Sequence, residues 1–199
     1  MTKIKLCGLN RVEDIQVANE ILPDFAGFIF YKKSRRYIEI EKFLELKKIL
    51  SEKISAVGVF VDEKLEKILE IEKNLDFIQL HGSEDEKYIS TLKNLTDKKI
   101  IQAFKIKTDE DLRIAEKSLA DYILLDGGAG DGKIFDWQIL KNFRRKYFLA
   151  GGLNCDNIGD AIKILKPFAV DVSSGIETNN LKDAKKMREF VKKVRSGKF

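Results

Sequence analysis

With 199 residues, 44% of them hydrophobic, the chain can bury one sizeable core and is expected to form a single domain over residues 1–199. A membrane-spanning helix needs about 20 consecutive apolar residues, and neither such a run nor a signal-like N-terminus is present, so a cytoplasmic protein with no membrane partner is expected. The formal charge of +5 arises from 37 basic residues interleaved with 32 acidic ones, the pattern of solvated helix surface rather than of a nucleic-acid interface; Cys7 and Cys155, far apart and without ligand spacing, provide neither a disulfide framework nor a metal site.

Along the chain, short apolar runs give way to charged segments whose apolar residues recur at i, i+3 and i+4. The predicted strands are residues 3–7, 25–30, 56–61, 77–81, 100–105, 122–126, 147–150 and 169–173, each followed by a helix. Apolar stripes mark three of these helices: Leu65, Ile68 and Leu69; Ile158, Ala161, Ile162 and Leu165; Met187, Phe190, Val191 and Val194. Asn10 with Glu13, Ser83 with Glu86 and Thr108 with Asp111 have the spacing of capping pairs.

Parallel strands require long crossovers, which strict βα alternation supplies. The predicted fold class is therefore α/β, an eightfold parallel (β/α)8 TIM barrel. An open doubly wound sheet is the alternative, but its glycine-rich fingerprint is missing after the first strand.

Strand side chains alternate between the barrel interior and the helix layer. With Ile4 and Leu6 facing the helices, Lys5 and Cys7 point inward; Ile78 and Leu80 likewise send Gln79 and His81 inward; Val170 and Val172 do the same for Asp171 and Ser173. The sixth strand ends in Asp126. Cys7, His81, Asp126 and Ser173 thus fall at strand C-termini, where barrel enzymes build their sites. Taken singly, such an aspartate is commonly a helix cap and such a cysteine a small buried hydrophobe. Gly151-Gly152 and Ser173-Ser174-Gly175 follow the seventh and eighth strands, where barrels commonly bind phosphate, with a following helix N-terminus adding positive potential; tight turns are the plain alternative.

Several motifs then read as a set: Lys5-Leu6-Cys7-Gly8, Gly27-Phe28-Ile29-Phe30 with Ser34-Arg35-Arg36-Tyr37, Gln79-Leu80-His81-Gly82, Leu124-Leu125-Asp126, Ala150-Gly151-Gly152-Leu153 and Asp171-Val172-Ser173-Ser174-Gly175-Ile176-Glu177. From the first strand to the last helix, the sequence resembles the phosphoribosylanthranilate isomerase family of tryptophan biosynthesis. The resemblance implies an Amadori rearrangement of a small phosphorylated substrate without metal or organic cofactor. It matches Asp126 to the general acid, Cys7 to the general base and Arg36 to the holder of the anthranilate carboxylate. His81 and Asp171 are expected to line the substrate pocket. A monomer is expected rather than a homodimer.

That chemistry asks for a raised aspartate pKa and a lowered cysteine pKa, or for reaction from the minor protonation forms of both groups. Lys5 is a candidate to tune the thiol, a structural ion pair with Asp171 being the alternative. Departures from the family pattern are Asp131 within the loop Gly127–Lys133, Cys155 where proline is common, and Asn179-Asn180 where Pro-Gly often stands, asparagine tolerating a left-handed turn. A histidine-pathway aminoaldose isomerase, a dual-substrate isomerase and a noncatalytic phosphate-ligand binder are the competing functions.

Overall fold

The computed structural model describes residues 1–128 and 137–197. The strands are β1 (Lys3–Cys7), β2 (Phe25–Ile29), β3 (Ser55–Phe60), β4 (Phe77–Leu80), β5 (Lys99–Lys105), β6 (Tyr122–Asp126), β7 (Tyr147–Ala150) and β8 (Ala169–Val172). They pair in parallel and in sequence order, and β8 closes on β1 with Lys5 opposite Asp171. The helices are α1 (Val12–Ile21), α2 (Ile40–Ile49), α3 (Leu65–Ile71), α4 (Glu86–Leu95), α5 (Asp109–Lys117), α6 (Ile158–Leu165) and α7 (Ala184–Ser196). Among the described residues no helix is long and apolar enough to cross a membrane.

Side-chain alternation builds two cores. Ile4, Leu6, Phe28, Ile78, Leu80, Val170 and Val172 face outward and pack under the helices, whose stripes answer them; Ile68 of α3, Ile158 and Ala161 of α6 and Met187, Phe190, Val191 and Val194 of α7 are buried. Inside the barrel, Phe25, Val57, Ile101, Leu124, Phe148 and Ala169 form a separate cluster. Its N-terminal end is plugged by rings, with Phe25 in edge contact with Phe77 at 5.3 Å and Tyr122 stacked on Phe168 at 5.2 Å. This plug leaves open only the opposite end of the barrel, where the strands' C-termini lie.

The expected elements shift in several places. β2, β3, β4 and β8 stop one residue early, so His81 and Ser173 stand just beyond their strands. No α-helix separates β6 from β7 among the described residues; a 3-10 helix, Trp137–Asn142, occupies part of that connection. After β8 comes not a helix but a hairpin of β9 (Glu177–Thr178) and β10 (Leu181–Lys182). Asn179 and Asn180 form its tip with φ of 51° and 64°, the left-handed conformation foreseen for them and the one such tight hairpins require.

Two capping pairs are also displaced. α1 starts at Arg11, and Asp14 rather than Glu13 reaches back to accept from the N–H groups of Asn10 and Arg11. α4 is capped by Asp85, whose carboxylate accepts from the Tyr88 N–H, while the Ser83 N–H donates to Asp62. In both cases the capping group is a carboxylate, which the positive helix terminus favours over a neutral side chain. Thr108 and Asp111 do form a capping box on α5.

Candidate active site

At the open end of the barrel is a cavity of about 280 Å³. It brings together Cys7, Arg36, His81, Asp126 and Asp171 with Gly151, Gly152, Ser173 and Ser174, and Gln79 completes its polar wall. Gly175 is the exception among the sequence-selected residues. It sits behind the lining, joined by a backbone bridge to Asn154. The β9–β10 hairpin separates the Ser173–Gly175 segment from α7, so the N-terminus of that helix does not follow the segment directly, whereas the β7 side leads into α6 after Asn157.

Gly151 adopts φ of 97°, and a Cβ there would lie 2.8 Å from Asp126 Oδ1. The turn after β7 therefore has to be a glycine to pass beside the Asp126 carboxylate without displacing it. Of the Gly127–Lys133 loop, residues 129–133, Asp131 included, lie outside the described residues.

At the centre of the interior, Lys5 is fully buried and donates to Asp171 Oδ2 at 2.9 Å. The β1–β8 register places the two side by side, so the ion-pair alternative for Lys5 is the one realised. Its charge still reaches Cys7, though it does not prevail there. Burial pushes the Cys7 thiol above its ordinary value, the charge of Lys5 draws it back and that of Asp171 pushes it further up. The expected lowering of the cysteine is not found.

Asp126 also departs from expectation. Burial pushes its carboxyl up, but the His81 imidazole, the Gly128 N–H and Lys105 outweigh this, and its pKa falls below the ordinary value. His81 Nε2 lies 3.7 Å from Asp126 Oδ2, and Gln79 Nε2 is 3.1 Å from His81 Nδ1. An amide donating to Nδ1 leaves the imidazole proton on Nε2, directed at Asp126. The protein's own groups thus favour thiol for Cys7 and carboxylate for Asp126.

Two buried acceptors of residues in the cavity wall, Gln79 Oε1 and Asp171 Oδ1, have no hydrogen-bond partner among the described residues. Buried polar atoms are rarely left so. Cys155, by contrast, is remote from this group, its thiol near the Lys186 carbonyl under α7.

Sequence reading passed over two participants. Glu177 stood in a quoted motif without a role, and Lys182 carried no signal, because only the unforeseen hairpin turns it inward. Lys182 Nζ donates to Glu177 Oε1 at 2.7 Å and to the Ser173 carbonyl at 2.9 Å, and Ser173 Oγ donates to the Cys7 carbonyl at 3.0 Å. Glu177 in turn holds the guanidinium of Arg36.

The chain is similar to known proteins over nearly its whole length. Residues 4–193 match the family model described as PRAI, N-(5'phosphoribosyl)anthranilate (PRA) isomerase. The N-(5'-phosphoribosyl)anthranilate isomerase of Endomicrobium trichonymphae is 45% identical over 203 residues, covering 98% of this chain and all of that one. The crystal structure of phosphoribosyl anthranilate isomerase from Thermotoga maritima superposes with a TM-score of 0.91 at 35% identity, covering 98% of this chain and 100% of the other. A structure of phosphoribosyl anthranilate isomerase in complex with reduced 1-(o-carboxyphenylamino)-1-deoxyribulose 5-phosphate gives 0.89 at 34% identity, with coverage of 98% and 100%. A thiamine phosphate pyrophosphorylase from Pyrococcus furiosus, 18% identical with a TM-score of 0.72, shares the fold alone. With this match extending from the first strand to the last helix, the chain belongs to the N-(5'-phosphoribosyl)anthranilate isomerase family.

Proposed function

We propose that this chain converts N-(5-phosphoribosyl)anthranilate into 1-(2-carboxyphenylamino)-1-deoxyribulose 5-phosphate, with Asp126 as general acid and Cys7 as general base. The observation that carries the assignment is that one cavity presents both groups together with Arg36 and the paired glycines after β7. Asp126 gives a proton to the furanose ring oxygen, the ring opens as the nitrogen lone pair forms a Schiff base, and Cys7 removes the proton from C2. The resulting enolamine tautomerises to the ketone. Atoms balance throughout, and the reaction is a rearrangement of protons and electron pairs within one molecule.

The resting thiol and carboxylate are the reverse of what the first step uses. The substrate brings negative charge of its own, and an anion beside Asp126 disfavours ionisation of the carboxyl and shifts it toward the acid form. Chemistry then proceeds through a minor protonation state of the pair. The phosphate is assigned to Gly151, Gly152, Ser173 and Ser174, where glycine lets backbone approach an anion closely. Gln79 and Asp171, both in the cavity wall, are assigned to the sugar hydroxyls. Arg36 takes the anthranilate carboxylate, the pairing to which a planar guanidinium is best suited.

The test is turnover of phosphoribosylanthranilate, generated in place, followed by loss of its fluorescence with wild type, Cys7→Ala and Asp126→Ala side by side. Turnover by wild type alone is expected. A folded wild-type protein that leaves the substrate unchanged would overturn the proposal and direct the assay to the histidine-pathway aminoaldose.

A further inference from the structure

Arg36 meets the cavity with one of its two hydrogen-bonding edges already taken. Its Nε donates to Glu177 Oε1 at 2.5 Å and its Nη2 to Glu177 Oε2 at 2.8 Å, whereas Nη1 has no hydrogen-bond partner among the described residues. A second carboxylate therefore cannot use the Nε side of the fork and must approach the edge that carries Nη1. The direction of approach is set by whatever fixes Glu177.

Glu177 is fixed from several sides. Its side chain is only 5% exposed, Oε1 also accepts from Lys182 Nζ at 2.7 Å, and Oε2 also accepts from Arg35 Nη2 at 2.8 Å. The Glu177 carbonyl accepts from Lys186 Nζ at 2.7 Å. The stem of Arg36 lies over Gly8, whose φ is 79° and where any Cβ would collide with Arg36 Cδ. With the stem seated on that glycine and the fork clasped by Glu177, little rotation is left to the guanidinium. Around the single carboxylate stand the three cations Arg35, Arg36 and Lys182, so the cluster keeps a positive charge for an incoming anion.

We infer that Glu177 is a positioning residue for substrate recognition: by occupying the Nε edge of Arg36 it aims the Nη1 edge into the cavity and sets the preference for a substrate that bears a carboxylate on its aromatic ring. Orientation fixed before binding removes the ordering cost that a free arginine would otherwise incur. This rests on the reading of Arg36 as the carboxylate site. A hairpin staple without a recognition role would stabilise the fold equally but leave that preference untouched.

The experiment compares kcat and KM for phosphoribosylanthranilate and for N-(5-phosphoribosyl)aniline, which lacks the carboxylate, in wild type, Glu177→Gln, Arg36→Met and the double variant. In Glu177→Gln, KM for the carboxylate substrate is expected to rise about tenfold with kcat little changed, the size expected for weakening a charge-assisted hydrogen bond. The aniline substrate should be processed as by wild type, and the Glu177→Gln effect should vanish in the Arg36→Met background. Equal losses on both substrates, or an unaltered preference in Glu177→Gln where Arg36→Met abolishes it, would overturn the inference while leaving the Arg36 assignment standing. A preference retained in Arg36→Met itself would instead remove the assignment on which the inference rests. Glu177→Asp, which keeps the charge but shortens the reach, replaces a Glu177→Gln protein that fails to fold, with the same loss of preference expected and an unaltered preference again overturning the inference.

Discussion

His81 Nε2 and Asp126 Oδ2 lie 3.7 Å apart, and this imidazole is the nearest side chain that favours the charged form of the assigned acid. Because kcat/KM reports the free enzyme, the resting states of Asp126 and Cys7 should be visible in its pH dependence. The carboxyl sits below its ordinary 3.8 and the thiol above its ordinary 9.0. An acid that must be protonated and a base that must be ionised, with pKa values in that reversed order, give a low but flat profile between them. We predict a plateau across neutral pH, an acid limb below about pH 3.8 and an alkaline limb above about pH 9.0. Replacing His81 with Phe should move the acid limb upward; an unmoved limb would detach His81 from Asp126.

Removal of either proton-transfer group should show directly in turnover. Cys7→Ala and Asp126→Ala are each expected to lower kcat by about 10² to 10⁴, the usual contribution of a positioned acid or base. Steady-state kinetics with thermal melting as a fold control measure this, and wild-type kcat in either variant would remove that residue from its role.

The barrel's architecture was legible in the sequence because period and parity are properties of single strands: once Ile4 and Leu6 are assigned outward, Lys5 and Cys7 can only face in. The positions of Cys7, His81, Asp126 and Ser173 followed from the same count. The Lys5–Asp171 pair was open as an alternative for the same reason, whereas contacts that do not follow from strand parity could not be read. The Asp126 pKa depends on a histidine just beyond the end of another strand. Asp14 and Asp85 displaced the expected caps through geometry one turn away. The hairpin after β8 is too short to carry a periodic signal, so the inward turn of Lys182 had no trace in composition. The 3-10 helix Trp137–Asn142 in place of an α-helix was equally hidden, since a few apolar residues suit both.

The buried pair inside the barrel should be costly to break on one side. Lys5→Met leaves the Asp171 carboxylate with both oxygens unpaired in the interior, and removing one partner of a buried pair typically costs about 3–5 kcal/mol. Urea unfolding is the measurement. A variant with unchanged midpoint and slope would show that water or another cation takes over the role of Lys5.

Acid should loosen the clamp on Arg36. Burial pushes the Glu177 carboxyl up, but Arg36 and Lys182 hold it far below its ordinary 4.5, at about 2. Because the folded-state value is depressed, the stabilisation it provides is present above pH 4.5 and is lost as pH falls toward about 2. Unfolding free energies measured down that range should fall more steeply for wild type than for Glu177→Gln. Parallel curves would contradict the linkage.

The Lys5–Asp171 pair also bears on how the molecule is made, since its members are separated by 166 positions. During synthesis the first strand leaves the ribosome long before β8, the strand that pairs with it to close the ring, exists. An ammonium group with no counter-charge resists leaving water, so the inner face of the first strand cannot dry out early without penalty. The lysine therefore opposes premature collapse of the half-made barrel, and the last barrel strand to emerge supplies the group that lets the interior close.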